Sequence, residues 1–460
     1  MTSSPFQLRG VIEGFYGVYY TVPERNNLIR FLSENGYNLY IYGPKDDWQH
    51  RDQWRHPYPE EVMNQFAETI NLSQNAGVEF CYSISPGISI NYALDKELET
   101  VKSKCRSFYN CGVRTFALLL DDIAPGFRYE EEKEKFSSYA QAHVAICNEF
   151  YKWLKGLDPS CRLLMCPTDY HGTAPFSDYI HELGEGLHQD IEIFYTGPEV
   201  CSQAIGESDV DDFAAAAGRP PVLWDNYPVN DGAMEAEMHI GPIIGRQESL
   251  ATKSRGFAVN TMIQAEASKV SLLTFADYFN DPHHYDPWPS WEEALKKVGG
   301  ADSYDALKLF AENALISCLR HENSKKLGSL VDAFLSALKS GQNMTGHMAV
   351  RELEDYLARL DEACYHLKNR MANYSLRNNL LPWVQLLEHW SAAGKKALEI
   401  LTSTECGSIN EKKIKGIKKS LQRIKNHDKR MTDESLLSVI EYAIERAEAK
   451  FAAETAGKES

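Results

Sequence analysis

Residues 115–122 read TFALLLDD, an apolar run that ends at two adjacent carboxylates. An apolar run without alternation is typical of a strand buried on both faces, as in a parallel sheet covered by helices. Pro125 and Gly126 follow, so the chain turns just beyond the acids. In a (β/α)₈ barrel the active site lies at the C-terminal ends of the strands. Asp121 and Asp122 are therefore candidate catalytic residues, with a helix cap in an ordinary loop as the alternative.

Two neighbouring carboxylates repel each other, and this repulsion favours keeping one of them protonated near neutral pH. Such a division suits one group to act as a general acid while the other stays anionic. We therefore expect Asp121 and Asp122 to differ in protonation.

The first two-thirds of the chain alternates short apolar runs with amphipathic segments, and this pattern predicts an α/β fold. The candidate strands are Gly10–Ile12, Tyr37–Tyr42, Val78–Ile84, Thr115–Leu120, Leu163–Cys166, Ile191–Tyr195, Val222–Trp224 and Gly256–Val259. Eight strands with intervening helices favour a closed (β/α)₈ barrel. An open doubly wound sheet is the alternative, but no Gly-x-Gly-x-x-Gly follows the first strand.

The composition changes after Pro287 and Pro289, which we interpret as a linker. The sequence therefore predicts a catalytic barrel over 1–286 and an all-α helical bundle over 287–460. Pro382 is predicted to open one helix and Gly407 to end it. The predicted helices are Ala306–Arg320, Leu327–Lys339, Met348–Met371, Trp383–Leu401, Glu411–Ile424 and Ser435–Phe451.

One helix of this region carries a seam of apolar residues at alternating three- and four-residue steps. The seam consists of Val350, Leu353, Leu357, Leu360, Cys364, Leu367 and Met371. This spacing is typical of helix–helix packing in a coiled-coil-like arrangement. It predicts packing inside the bundle, with contact to a second subunit in a homodimer as the alternative.

Charge and composition exclude several classes of partner. The chain has 48 basic and 65 acidic side chains and a formal net charge of −17, which argues against nucleic-acid and anionic-membrane partners. No apolar stretch approaches the ~20 residues needed to cross a bilayer, and the opening residues lack the pattern of a secretory signal. The ten cysteines lack metal-ligand spacing. We expect a cytoplasmic protein without a metal site.

Polar and aromatic residues follow each predicted strand. These segments are 13–17 (EGFYG), 43–48 (GPKDDW), 85–87 (SPG), 121–122 (DD), 167–170 (PTDY), 196–198 (TGP), 224–231 (WDNYPVND) and Asn260. One such cluster would be an ordinary set of turn residues. Eight in succession indicate a carbohydrate pocket, because sugars offer hydroxyls to amides and carboxylates and apolar C–H faces to aromatic rings.

These segments together resemble the family 84 glycoside hydrolases, which include protein O-GlcNAcases and related β-N-acetylglucosaminidases. The matching segments are 9–17 (RGVIEGFYG), 42–47 (YGPKDD), 83–87 (SISPG), 116–123 (FALLLDDI), 166–170 (CPTDY), 195–198 (YTGP) and 224–226 (WDN). They cover about the first 265 residues in the family's order. The helical region resembles the family only in position and composition.

The resemblance implies hydrolysis of β-linked N-acetylglucosamine with retention of configuration, in which the 2-acetamido oxygen of the sugar attacks to form an oxazoline. Asp121 would orient the acetamido N–H, and Asp122 would protonate the leaving oxygen. Tyr170 would bind the acetamido oxygen, with Trp224 and Cys166 shaping the acetyl pocket. No metal or organic cofactor is implied.

The resemblance also implies a set of residues that hold the sugar's hydroxyls and acetamido group. They are Gly10 through its backbone, Lys45, Asn226, Asp231 and Asn260. The expected partners are GlcNAc-bearing glycoproteins or glycoconjugates. The favoured substrate is GlcNAc on Ser or Thr of proteins. The alternatives are a hexosaminidase acting on glycan ends and a catalytically inactive GlcNAc-binding module.

Overall fold

The structure, a computed structural model, describes residues 4–322, 324–403, 411–431 and 434–456. The chain divides into two compact units. The first consists of Met1–Gly232 and Pro242–Trp291, and the second of Ala233–Gly241 and Glu292–Ser460. This division differs from the predicted boundary at 286/287, because it falls five residues later and assigns a short internal segment to the second unit.

The first unit is a closed barrel of eight parallel strands arranged in sequence order, which confirms the predicted fold class. The strands are β1 Leu8–Glu13, β2 Leu39–Tyr42, β3 Glu79–Ile84, β4 Thr115–Leu119, β5 Arg162–Cys166, β6 Glu192–Tyr195, β7 Val222–Asp225 and β8 Gly256–Asn260. The barrel closes where Leu8 of β1 lies opposite Gly256 of β8.

Helices follow the strands and cover the outside of the sheet. They are α1 Val22–Glu34, α2 Glu60–Asn75, α3 Asp95–Asn110, α4 Glu130–Lys135, α5 Tyr139–Leu157, α6 Asp178–Gly186, α7 Glu207–Ala217, α8 Leu250–Lys253 and α9 Ala265–Asn280. Local sequence sets their starts: Thr21 and Glu24 form a capping box at α1, and Ser138 caps α5.

The inside of the barrel is filled by side chains from alternate positions of the strands. Its core includes Leu8, Ile12, Leu39, Ile41, Cys81, Ala117, Leu119, Leu164, Cys166, Phe194, Val222, Trp224 and Ala258. Because successive strand residues point to opposite faces, this two-residue period marks the inward positions. The same period places Asn260, the last residue of β8, after Ala258, and, continued past the end of β4, it places Asp121 after Leu119. The barrel interior thus leads directly to the candidate site.

The second unit is helical in its described part. Its helices are α10 Pro287–Gly299 (which begins in the first unit), α11 Tyr304–Glu312, α12 Lys325–Lys339, α13 Met348–Asn369, α14 Tyr374–Thr402, α15 Glu411–Lys425 and α16 Glu434–Ala456. The predicted apolar seam lies on α13 except for Met371, which follows the helix, and all seven of its residues are buried. Leu357 of the seam contacts α14, where Ser391 Oγ donates to its carbonyl at 3.0 Å. The seam therefore packs within the chain.

Three local predictions about this region are wrong. Pro287 and Pro289 lie in the first turn of α10, where a missing N–H costs no hydrogen bond, and do not form a linker. The helix predicted over Ala306–Arg320 ends at Glu312. Pro382 lies inside α14, which begins at Tyr374 because Asn373 caps the N–H of Leu376 at 3.0 Å. Gly407 lies outside the described residues.

The segment Ala233–Gly241, which follows β7 in the chain, belongs to the helical unit. The Ala236 carbonyl accepts hydrogen bonds from Trp383 Nε1 at 2.9 Å and from the Arg430 N–H at 2.7 Å. His239 and Glu237 form a buried pair at 2.8 Å. The sequence around this segment does not indicate that it joins the helical unit, because its partners, such as Trp383 of α14, follow much later in the chain.

Within the described ranges, no helix has both the length and the apolar character that a bilayer crossing requires.

Candidate active site

The two adjacent carboxylates lie at the C-terminal end of β4, as the apolar run predicts. The Leu120 N–H donates to the Cys166 carbonyl at 2.9 Å, so strand pairing continues up to the first acid. Asp121 follows Leu119 on the inward face and is 4% exposed. Asp122 has a φ of +52° and is the single non-glycine residue with positive φ in the described chain. This left-handed turn sets the direction of the second carboxylate differently from that of the first.

Lys45 places a positive charge between the two acids. Its ammonium donates to Asp121 Oδ2 and lies 3.7 Å from Asp122 Oδ2. The residue follows β2, and its N–H is held by the Phe15 carbonyl at 3.1 Å. Nζ also lies 5.7 Å from the centre of the Trp224 ring, within cation–π distance. A single lysine thus connects the acids with the aromatic wall of the pocket.

Asp121 retains one unmatched acceptor. Its Oδ1 atom is buried and has no hydrogen-bond partner in the described residues. Buried polar atoms are nearly always hydrogen-bonded, so such an exception requires a specific explanation. An N–H group of a bound ligand would satisfy this oxygen, and the charge on the carboxylate would favour a donor that becomes positive.

Asp122 is surrounded by donors. Its Oδ1 accepts the Tyr170 hydroxyl at 2.8 Å and its Oδ2 accepts the Tyr16 hydroxyl at 3.0 Å. Burial acts to raise the pKa of Asp122, but Lys45, the two tyrosine hydroxyls and Arg51 hold this pKa below its usual range. The expectation that repulsion keeps one of the two acids protonated is therefore not met at Asp122 in the free protein, because donors from three other loops favour its charged form.

An amide network forms the opposite side of the site. Asn226 Oδ1 accepts Trp224 Nε1 and Asn260 Nδ2, both at 2.9 Å. Asn226 Nδ2 donates to the Val200 carbonyl at 2.7 Å, and Asn260 Oδ1 accepts the Gly14 N–H at 3.2 Å. The structure therefore brings Trp224, Asn226 and Asn260 together, as predicted, in a network that fixes each amide.

Asp231, Cys166 and Tyr170 complete the predicted set. Asp231 Oδ2 accepts the Tyr16 N–H at 2.7 Å, and burial raises the pKa of this carboxyl. Cys166 ends β5 and is buried in the barrel core, and Tyr170 packs against the same core. Burial also raises the pKa of the Cys166 thiol well above its usual value. A neutral thiol beside an aromatic ring gives this wall an apolar surface.

Gly10 is not part of this cluster, and the prediction for it is corrected. It lies inside β1 opposite Leu39, and an added Cβ would meet the Phe257 carbonyl at 3.1 Å. Gly14 lies four residues further along the chain than Gly10 and directly follows the last residue of β1. A Cβ on Gly14 would meet Trp224 Cζ2 at 2.8 Å, so only a glycine fits against this ring. The glycine at the site is Gly14.

Sequence reasoning also missed Tyr16 and Arg51. Tyr16 lies in the segment EGFYG that follows β1, so its position at a strand end was a usable signal. Arg51 Nη2 donates to the Asp122 carbonyl at 3.0 Å. Arg51 belongs to an irregular segment after β2, and nothing in its sequence context indicates this contact.

The described residues contain no group of three or more His, Cys, Asp or Glu side chains arranged to hold a metal ion. The Lys45 ammonium forms an ion pair with both carboxylates.

A (β/α)₈ barrel with paired carboxylates and an amide and aromatic wall at its C-terminal end has the features of a glycoside hydrolase. A family model described as beta-N-acetylglucosaminidase matches residues 9–312. The match spans well over half of the chain, so the chain belongs to this family, glycoside hydrolase family 84. This confirms the resemblance noted from the strand-end segments.

Individual relatives agree with this assignment. The chain is 37% identical over 277 residues to proteins named Protein O-GlcNAcase from Rattus norvegicus and from Mus musculus. These matches cover 59% of this chain but only 30% of each relative. A solved mutant of the Thermobaculum terrenum O-GlcNAc hydrolase has a TM-score of 0.91 and 30% identity, covering 99% of this chain and 98% of that one.

Proposed function

We propose that this chain removes terminal β-linked N-acetylglucosamine by a retaining mechanism in which the substrate's own acetamido oxygen is the nucleophile. The observation that carries the proposal is the buried, unmatched Oδ1 of Asp121 beside the Lys45 ammonium. A two-carboxylate mechanism would need a nucleophile free to form a bond to the sugar. Asp121 is instead held by a cation and retains one acceptor, which suits an acetamido N–H.

The first step forms one bond and breaks another. The acetamido oxygen bonds to C1 of the sugar as the C1–O bond to the leaving group breaks, and Asp122 gives its proton to the leaving oxygen. Asp121 accepts a hydrogen bond from the acetamido N–H and stabilises the positive charge that develops on the oxazoline. In the second step, Asp122 takes a proton from water as the water oxygen attacks C1, and the acetamido group is restored.

The pKa of Asp122 must rise before the first step, because the free protein favours its charged form. Tyr170 offers a means. Its hydroxyl donates to Asp122 Oδ1 at 2.8 Å in this structure. If sugar binding redirects that hydroxyl to the acetamido oxygen, Asp122 loses a donor that stabilises its charge. Substrate binding would then itself prepare the acid.

The natural substrate is proposed to be GlcNAc on Ser or Thr of proteins. Its support is the likeness of the barrel to proteins named for that activity. Hydrolysis of glycan ends uses the same catalytic groups and is the alternative. An intracellular location and a homodimer through the helical unit stay predictions.

The test is fluorophore release from an aryl β-N-acetylglucosaminide by the wild type and by Asp121→Asn. Loss of the carboxylate should lower kcat by about 10²–10³-fold, the cost of removing one preorganised electrostatic group. The matched control is Asp158→Asn, which removes a carboxylate that pairs with Arg114 at the protein surface at 2.9 Å. A folded wild type without turnover that still binds GlcNAc would instead support the binding module.

Two further measurements test the acetamido nucleophile and the natural substrate separately. An analogue whose acetamido carbonyl is removed should not be hydrolysed, and its efficient hydrolysis would exclude the acetamido nucleophile. Comparison of a glycopeptide carrying Ser-linked GlcNAc with an oligosaccharide ending in β-GlcNAc then tests the substrate. A higher kcat/KM on the oligosaccharide would favour the hexosaminidase alternative.

A further inference from the structure

Arg51 contacts the acid side of the site without belonging to the predicted pocket. It is 6% exposed, and its Nη2 donates to the Asp122 carbonyl at 3.0 Å. Its guanidinium carbon also lies 5.7 Å from the centre of the Tyr16 ring. One buried cation therefore contacts both the backbone of Asp122 and a side chain that donates to its carboxylate.

The bond from Arg51 reaches a residue with unusual backbone geometry. Asp122 adopts a φ of +52°, a left-handed conformation that non-glycine residues adopt only when their surroundings impose it. The carbonyl that Arg51 holds belongs to Asp122 itself, so the bond fixes the peptide plane that follows this turn. Without it, the backbone could relax to an ordinary conformation and carry the carboxylate away from its present position.

Arg51 is arranged differently from Arg25 and Arg246, two other arginines of this barrel with buried side chains. Arg25 donates to both oxygens of Glu13, and Arg246 donates to both oxygens of Asp225. Within the described ranges, no carboxylate forms an ion pair with Arg51, and its buried Nη1 has no hydrogen-bond partner. A buried guanidinium with an unmatched donor stabilises the fold poorly. The hydrogen bond from Arg51 to the Asp122 carbonyl explains its arrangement better than a contribution to stability does.

We infer that Arg51 is the positioning residue of the proton-transfer step, holding the Asp122 backbone in the turn that directs this carboxylate at the leaving-group oxygen. The inference rests on the proposed function, since it needs Asp122 to be the acid. It adds a residue that touches neither sugar nor leaving group and acts only through Asp122 and Tyr16.

Arg51 also contributes to the charge balance around Asp122. The groups that face this carboxylate come from the loops after five strands, and they are Tyr16, Lys45, Arg51, Asp121, Tyr170 and Asp231. Loss of the guanidinium removes a positive charge from this set. The pKa of Asp122 in the free enzyme should therefore rise, which moves the pH profile of kcat/KM to higher pH.

The experiment measures Arg51→Ala and Arg51→Lys with two aryl β-N-acetylglucosaminides, one with a good and one with a poor leaving group. We expect Arg51→Ala to lower kcat by about 10²-fold on the poor leaving group, the scale of a displaced catalytic group. The loss should be smaller on the good one, with KM little changed. Guanidinium ion added to Arg51→Ala should restore part of the rate. Arg51→Lys should retain more activity than Arg51→Ala.

Arg55→Ala is the matched control. Arg55 lies four residues further along the same segment, where it pairs with Glu97 at 2.8 Å and stacks on Trp54. This variant should keep the wild-type leaving-group dependence and pH profile. A thermal unfolding curve for each variant identifies losses that come from unfolding.

The outcomes separate this inference from the proposed function. Equal losses on both leaving groups, with an unshifted pH profile and no guanidinium rescue, would overturn the positioning role while Asp122→Asn still shows leaving-group dependence. If Asp122→Asn itself loses equally on both substrates, Asp122 is not the acid, and both claims fall.

Discussion

The barrel has an ion pair at each end, and the two pairs differ in burial. Burying a charge pair is costly, yet the pair at the candidate site is the more deeply buried of the two. Arg162 pairs with Glu79 at the starts of β5 and β3, and Lys45 pairs with Asp121 beyond the ends of β2 and β4. The first pair is about one-third exposed, with side chains at 34% and 36%, whereas the second is buried at 2% and 5%.

The two carboxylates also differ in how completely they are satisfied. Both oxygens of Glu79 have partners, because Thr115 Oγ1 donates to one and Arg162 to the other. Asp121 is more deeply buried and leaves Oδ1 unmatched. Burial makes a charge pair costly, so an incomplete buried pair is retained for something other than stability. The Arg162–Glu79 pair links β5 and β3, whereas the Lys45–Asp121 pair leaves an acceptor that a ligand can satisfy.

The largest expected effect is on proton transfer at the buried end. Asp122→Asn should lower kcat on a poor leaving group by about 10²–10⁴-fold, the usual range for general acid catalysis. An activated aryl glycoside should lose much less, because its leaving group departs without a proton. Rates on the two substrates are compared directly, with Asp158→Asn as the control. Equal losses on both would contradict the acid role.

The next effect concerns the stability of the buried pair. Lys45→Met removes the cation and leaves the Asp121 carboxylate buried with no ion-pair partner. Breaking one side of a buried pair costs about 3–5 kcal/mol in the free energy of unfolding. Urea unfolding at neutral pH measures this difference. A loss below 1 kcal/mol would show that water reaches Asp121 freely, and the contrast between the two ends would disappear.

The pH dependence of the site gives a smaller effect of defined sign. The Tyr16 hydroxyl donates to Asp122 Oδ2 at 3.0 Å and so favours the charged carboxylate. Tyr16→Phe removes this donor, which should raise the pKa of Asp122 and move the pH profile of kcat/KM to higher pH. The change in kcat should not exceed about tenfold, the equivalent of one hydrogen bond.

Tyr19→Phe is the control for that measurement, because Tyr19 lies in the same loop and is 41% exposed. Its profile should match the wild type. A downward shift for Tyr16→Phe would mean that the hydroxyl stabilises the protonated form of Asp122.

The fold and much of the site follow from local patterns. The buried run before Asp121 predicts a strand, and the end of that strand predicts the acid's location, because both depend on residues within one segment. The choice between two glycines did not follow from the resemblance, which implies Gly10. The predicted strand Gly10–Ile12 and the strand-end segment 13–17 already favour Gly14, and the pairing of Gly10 with Leu39 places Gly10 inside β1.

The properties that sequence reasoning missed are set by distant segments. The adjacency of the two acids predicts that one of them is protonated, whereas the groups that lower the pKa of Asp122 are Lys45, Tyr170 and Tyr16 on other loops. The sequence predicts that Pro382 opens a helix. It lies inside α14, in a stretch where Leu380 and Trp383 are buried and packing offsets the lost hydrogen bond.

The smallest expected effect is at the exposed end of the barrel. Glu79→Gln removes the charge from the Arg162 pair but retains an acceptor for Thr115. Exposed ion pairs contribute about 0.2–1 kcal/mol, so the free energy of unfolding should fall by no more than this, and less in high salt. Turnover of the aryl glycoside should equal that of the wild type. If Glu79→Gln destabilised the protein as much as Lys45→Met, exposure would not explain the difference, and strand register at Thr115 would be the better cause.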